Sequence, residues 1–203
     1  MYTHCRAFGR MWIGFATLML LAPQVLAGDQ SGADKKAMID RGRYLVMVGG
    51  CNDCHTPKVM GPMGPKFDET RTLSGQPADA PVAPLPDGVP NPNGWMALTN
   101  AHLSAWAGPW GISFARNLTP DVATGLGSWT EEMFIKALRT GKDMGEGRAI
   151  LPPMPWEQIG QMTDEDLKSV FAYLQSLPPI SNAVPDPVPP PGHTDPPMKD
   201  PGK

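Results

Sequence analysis

Two cysteines separated by two residues and followed at once by a histidine are the part of this chain best equipped for chemistry: Cys51-Asn52-Asp53-Cys54-His55. This order is the attachment signal for a c-type haem. The two thiols can add across the vinyl groups of a haem as thioethers, and the adjoining imidazole can take one axial face of the iron. Two covalent anchors and one ligand in five residues fix where such a cofactor must sit. Other readings of the pair fit less well. A zinc site needs four ligands, and no second C-x-x-C or H-x-x-x-H completes the set. A thioredoxin-like redox pair belongs beside a βαβ pattern, and none surrounds it. A disulfide across only two residues is strained.

The second axial ligand decides what the iron does. A His/Met pair fills the coordination sphere and suits electron transfer, whereas an open position permits gas binding or peroxide chemistry. The chain has 13 methionines, so context must choose. Met154 stands between prolines in Leu151-Pro152-Pro153-Met154-Pro155-Trp156, and those rings preset its backbone. It lies in a loop rather than on a helix stripe. Met154 is therefore the expected distal ligand, with Met144 and Met162 in reserve and Met133 read as helix core. His102 and His193 are the alternative nitrogen ligands.

The elements that must position these residues are mostly helices. Residues 33–48 carry Met38, Leu45 and Val48 near helical spacing, which predicts a helix ending at Gly49-Gly50. Gly42 weakens that helix and suggests a close crossing by another. A second helix is predicted from Ser128 or Thr130, with Ser128-x-x-Glu131 as a capping box and Phe134, Ile135 and Leu138 as its stripe; Gly141 stops it. A third starts at Thr163 with Asp164 and Glu165 in its first turn. Leu167, Val170, Phe171, Leu174 and Leu177 form its apolar face, and Pro178-Pro179 ends it.

The remainder reads as loop. The chain holds 25 prolines and 22 glycines in 203 residues, about twice the usual share. Between residues 57 and 113, Pro62, Pro65, Pro77, Pro81, Pro84, Pro86, Pro90 and Pro92 argue against a long helix or a central strand. This stretch is expected to be a long loop, either wrapped over one side of the haem or lying loose on the surface. Trp95, Trp106 and Trp110 call for burial of its second half. Residues 178–203 are again Pro-rich and read as a polyproline-like or disordered spacer.

Residues 1–27 have the pattern of a secretory signal peptide: Arg6 and Arg10, an apolar run from Met11 to Leu21, then Val25-Leu26-Ala27. The run is short against the about 20 residues of a membrane span. If uncleaved, it would associate the protein with a membrane. Cleavage would remove Cys5, leaving Cys51 and Cys54 as the remaining thiols in an oxidising compartment. It would also lower the formal net charge of −3 by two. An acidic chain is a poor partner for nucleic acid.

As a set, these motifs resemble class I c-type cytochromes, above all the cytochrome subunits and domains that serve periplasmic dehydrogenases of alcohols, aldehydes and sugars. The matching residues are Arg41-Gly42-x-Tyr44-Leu45, Cys51-x-x-Cys54-His55-Thr56-Pro57, Asn117-Leu118-Thr119-Pro120-Asp121 and Gly125-x-Gly127-x-Trp129-Thr130. Ala137-Leu138-Arg139-x-Gly141, Met154-Pro155-Trp156, Met162-Thr163-Asp164-Glu165-Asp166-Leu167 and Tyr173-Leu174-x-Ser176-Leu177-Pro178 continue it. The resemblance implies an all-α, cytochrome c-like fold with its first and last helices crossing, and Met154 as the distal ligand.

The expected organisation is a signal peptide over 1–27, a cytochrome c domain over 33–177 with a loop insertion at 57–113, and a Pro-rich tail over 178–203. The expected function is that of an exported monohaem carrier, periplasmic and soluble after cleavage. It would hold one covalently bound haem c and pass single electrons between a dehydrogenase and a terminal oxidase or another cytochrome. It would not be an enzyme in its own right. Two alternatives stand beside this: a haem enzyme or gas sensor with an open sixth position, and a tethering protein whose working part is the tail.

Overall fold

The computed structural model describes Met1 and residues 27–82, 84, 88, 91 and 93–190. The expected signal segment, His193 and the end of the tail lie outside the described residues. Among the described residues, no helix is long and apolar enough to cross a membrane.

The first helix among the described residues is α1 (Ala27–Val48), longer at its start than its apolar spacing suggested. It ends at Val48, and Gly50, at a positive φ of 66°, leads into the one-turn helix α2 (Cys51–His55). Helix α3 (Glu131–Thr140) is capped by Thr130, whose hydroxyl accepts from the Met133 amide, so the cap sits two residues beyond Ser128. Gly141, at φ 66°, closes it in the left-handed conformation. The short α4 (Trp156–Ile159) follows. Then comes α5 (Asp164–Gln175), capped by the Thr163 hydroxyl on the Asp166 amide as its sequence predicts.

The first and last helices cross at Gly42. A Cβ there would run into the Ser169 carbonyl of α5 and stand 2.8 Å from Tyr173 Cβ, so only glycine allows this approach. The crossing also corrects the α1 stripe. Val46, one turn beyond Gly42, is buried, whereas Met38 and Val48 are exposed. Leu73, Leu126, Phe134, Leu138, Leu167, Val170, Phe171 and Leu174 complete the core cluster. The rings of Phe134 and Phe171 lie 5.3 Å apart.

The all-α expectation is wrong: the described part of residues 57–113 carries five short strands in two antiparallel sheets. Strands β1 (Lys58–Gly61) and β2 (Gly64–Phe67) form an antiparallel hairpin around Pro62-Met63. Strands β3 (Leu98–Thr99), β4 (Ala105–Gly108) and β5 (Gly111–Phe114) form a second antiparallel sheet. Proline is tolerated because Pro62 occupies the turn and Pro65 sits in a two-stranded ribbon, where each strand has a free edge. The segment also supplies core. Leu73 is fully buried despite a φ of 58°, held by its amide on Thr56 Oγ1 at 2.9 Å and by its carbonyl under the Leu118 amide. Gln76 is fully buried, with its Oε1 accepting from Asn100 Nδ2 and Ser104 Oγ. Trp106 and Trp110 are half-buried as expected, but Trp95 is largely exposed.

The tail is not a free spacer up to residue 190. Val188 exchanges both backbone hydrogen bonds with Ile112 on β5. Asn182 Nδ2 donates to the carbonyls of Ser74 and Gln76, and its Oδ1 accepts from the Ala78 amide. The segment after α5 is thus a strap that binds the helical core to the sheet-bearing insertion.

Candidate functional site

A helix of five residues forms few hydrogen bonds of its own, so α2 depends on what surrounds it. Thr56 follows it, fully buried, and its hydroxyl donates to Asn52 Oδ1 at 2.8 Å. Lys58 folds back beneath it. Its Nζ donates to the carbonyls of Asn52 (3.3 Å), Asp53 and Thr56 (2.7 Å) at the C-terminal end of the helix, where the Asn52 carbonyl also accepts from the Thr56 amide.

His55 is buried, and its Nδ1 lies 2.7 Å from the carbonyl oxygen of Arg116. A carbonyl only accepts, so Nδ1 carries the hydrogen and Nε2 keeps its lone pair. That is the form of imidazole that ligates a metal. Burial lowers the pKa of His55, with the Arg116 hydrogen bond opposing, so the ring is held neutral. Arg116 is itself anchored: its guanidinium pairs with Asp143 and lies 4.8 Å from the Trp129 ring centre. Gly75, at φ 82°, lets the insertion pass so close that a Cβ would strike the Ala115 and Arg116 backbone. The Gly75 amide donates to the His55 carbonyl at 2.7 Å.

Cys51 and Cys54 are both free thiols and half-buried. Burial pushes the Cys51 thiol up to about 11 and raises that of Cys54, against which Lys58 and the Trp106 indole pull downward. A redox or nucleophilic cysteine is held low rather than high. Among the described residues, no three His, Cys, Asp or Glu side chains gather to hold a metal ion. The donor set is therefore two neutral unpaired thiols and one imidazole with its tautomer fixed, on a single turn. It fits a covalently attached haem with Cys51 and Cys54 as anchors and His55 as ligand.

Met154 comes from a loop pinned at both ends. The Ile150 amide donates to the Gly141 carbonyl, and the Trp156 amide to that of Met154 itself. The Trp156 ring lies over Gly141, where a Cβ would collide with it. From the sheet, Ser113 Oγ donates to the Pro152 carbonyl at 2.6 Å. Met154 is half-buried and, like Cys51, packs against the core cluster. A cleft of about 410 Å³ opens beside it, lined by Ile150, Pro153 and Trp156. Met162 also packs on this core, with its carbonyl held by Arg139. Met144 stands in a turn at φ 51°, and Met133 is in the first turn of α3. His102 is turned elsewhere, its Nδ1 at the Lys58 carbonyl.

Sequence reading missed three contributors here: Arg116 as the carbonyl that orients His55, Lys58 beneath α2, and Trp106 at Cys54. Each arises from a contact that local pattern does not encode, although a lysine three residues past the motif is placed to reach back.

No family model matches the chain. Individual relatives do. It is 29% identical over 162 residues to the gluconate 2-dehydrogenase cytochrome c subunit of Pantoea cypripedii, covering 79% of this chain and 27% of that one. It is 28% identical over 180 residues to the cytochrome c subunit of the quinone alcohol dehydrogenase of Gluconobacter oxydans, covering 86% and 29%. It is also 30% identical over 138 residues to the fructose dehydrogenase cytochrome subunit of Gluconobacter japonicus, covering 68% and 21%. The chain spans less than a third of the length of each of these relatives. The resemblance read from its motifs is borne out: this chain is similar to dehydrogenase cytochrome c subunits.

Proposed function

We propose that this relative of dehydrogenase cytochrome c subunits is an exported monohaem c-type cytochrome. It takes electrons from a dehydrogenase and passes them to a terminal oxidase or another cytochrome, without being an enzyme itself. The observation that carries the reading is the pairing on α2 of two free thiols with a buried histidine whose Nδ1 is tied to the Arg116 carbonyl.

Cys51 and Cys54 would hold the haem, and His55 and Met154 would complete the coordination sphere of its iron, which would supply a one-electron couple. The chain's own part is to fix that sphere. Arg116 keeps the His55 ring in one orientation and one tautomer. The turn at Gly141, the Trp156 ring and Ser113 preset the loop that presents Met154, so little ordering is left for ligation. The apolar cluster against which Cys51 and Met154 pack keeps water away and favours the less charged, reduced state. The organisation in this reading is a cleaved signal over 1–27, a cytochrome domain over 33–177 and a tail over 178–203, giving a protein soluble in the periplasm.

The test is the absorption spectrum of the exported protein, oxidised and reduced, before and after denaturation. Haem that stays with the denatured chain, low-spin bands and the long-wavelength sulfur-to-ferric-iron band are expected. No covalent haem overturns the reading. Covalent haem without the sulfur band replaces Met154 and moves the enzyme or sensor alternative to first place.

A further inference from the structure

Lys58 is only 7% exposed, an uncommon place for an ammonium group. It makes no ion pair with a carboxylate among the described residues. Its three near neighbours are backbone carbonyls, those of Asn52, Asp53 and Thr56. Carbonyl oxygens only accept, and three of them take three N–H bonds. A neutral amine has two hydrogens, so the geometry requires the ammonium. On its other side Nζ stands 5.0 Å from the centre of the Phe67 ring, the residue paired with Lys58 across the β1–β2 hairpin. An aromatic face attracts a cation without neutralising it. The helix of the two thiols and His55 thus rests on a full positive charge in a poorly solvated setting.

We propose that Lys58 is the residue through which the insertion sets the reduction potential of the haem: its fixed charge, wedged between α2 and Phe67, raises the potential. The inference rests on the electron-carrier reading above. Reduction lowers the charge at the iron by one unit. A neighbouring cation stabilises the less positive, reduced state and holds the electron more tightly. At an effective dielectric of about 20, a unit charge on the order of 10 Å from a redox centre shifts a one-electron equilibrium about tenfold. That corresponds to about 59 mV for one electron. The hairpin is then more than a cover. Its register, Lys58 opposite Phe67, places the charge.

The experiment compares wild type, Lys58→Arg, Lys58→Gln and Lys58→Met, each purified with haem and checked for covalent attachment after denaturation. Spectroelectrochemical titration then gives the potentials. Gln keeps an amide donor for the carbonyls and loses the charge; Arg keeps both. Lys58→Gln is expected to shift the ratio of reduced to oxidised protein about tenfold toward oxidised at a fixed ambient potential. Lys58→Arg should stay within about twofold of wild type. A Gln variant that titrates with wild type, or an Arg variant that falls as far as Gln, overturns the proposal. If neither neutral variant carries haem while Arg does, Lys58 is a folding cap and the assignment to the potential fails. Wild type without covalent haem would defeat the electron-carrier reading, and this inference with it. Covalent haem with an unmoved potential defeats the inference alone.

Discussion

His55 Nδ1 and the carbonyl oxygen of Arg116 lie 2.7 Å apart, although 61 positions separate them in the chain. The acceptor is a main-chain atom, so no substitution of Arg116 removes it directly. Its placement depends on Gly75, whose missing Cβ lets the two backbones touch. Gly75→Ala is therefore expected to displace the Arg116 carbonyl and loosen the imidazole. It should destabilise the fold by about 1–3 kcal/mol, through strain at a positive φ and overpacking together. Denaturant unfolding and the yield of covalent haem both check this. Unchanged values in both would mean that the Arg116 carbonyl is not what fixes His55.

Met154 and Met162 both pack on the core that Cys51 borders, and only one can complete a His/Met pair. The two are separable. Met154→Ala should lower the potential, abolish the sulfur-to-iron band and let carbon monoxide bind the ferrous state rapidly. Met162→Ala should leave all three in place and cost about 2–3 kcal/mol of stability as a partly buried truncation. The opposite pattern would transfer ligation to Met162.

Asp68 accepts from the Thr70 hydroxyl at 2.6 Å and from the Thr70 amide at 3.0 Å. The hydroxyl bond above all holds this carboxyl below its ordinary 3.8, with the amide and Arg71 adding to the effect and burial opposing it. A depressed carboxylate contributes stability above its unfolded pKa and loses it as pH falls through the folded one. The gap in melting temperature between wild type and Asp68→Asn should thus be present at pH 6 and shrink as pH drops below about 4. A gap that persists undiminished at pH 2 would show that the contribution of the Asp68–Thr70 bonds does not depend on charge.

The turn that groups Cys51, Cys54 and His55, the Thr163 cap and the α5 stripe were legible because each is written within a few residues, whereas the capping box read at Ser128 gave way to Thr130. The crossing at Gly42 was legible as well, since a glycine inside a good helix marks a close approach. The strands were not. They are two to four residues long, too short for alternation to register, and prolines that belong to a turn and an edge strand read as breakers. The α1 stripe was misread for a different reason: Val46 is buried because of where α5 crosses, which the spacing of α1 alone cannot state. At the candidate site, the grouping of Cys51, Cys54 and His55 on one turn was readable. The long-range half (Arg116, Gly75, Trp106) was set by the insertion whose fold went unread.

The strap after α5 gives the last prediction. Asn182 spends its whole side-chain amide on Ser74, Gln76 and Ala78, and its own amide donates to Thr124 Oγ1 at 2.9 Å. Ser74 and Gln76 are almost wholly buried, so losing their donor leaves carbonyls that water reaches poorly. Asn182→Ala should cost about 1–3 kcal/mol. Removing the chain beyond residue 178 should cost more, because Ile180 and Val188 also leave: the Ile180 carbonyl accepts from Asn117 Nδ2 at 2.8 Å, and Val188 pairs with β5. Limited proteolysis should then open the 57–113 segment first, since the strap holds it at two points. A truncated protein that melts with wild type and resists protease equally would return the tail to the role of a spacer. A protein that loses stability but keeps its potential would instead show that the strap braces the insertion without acting on the iron.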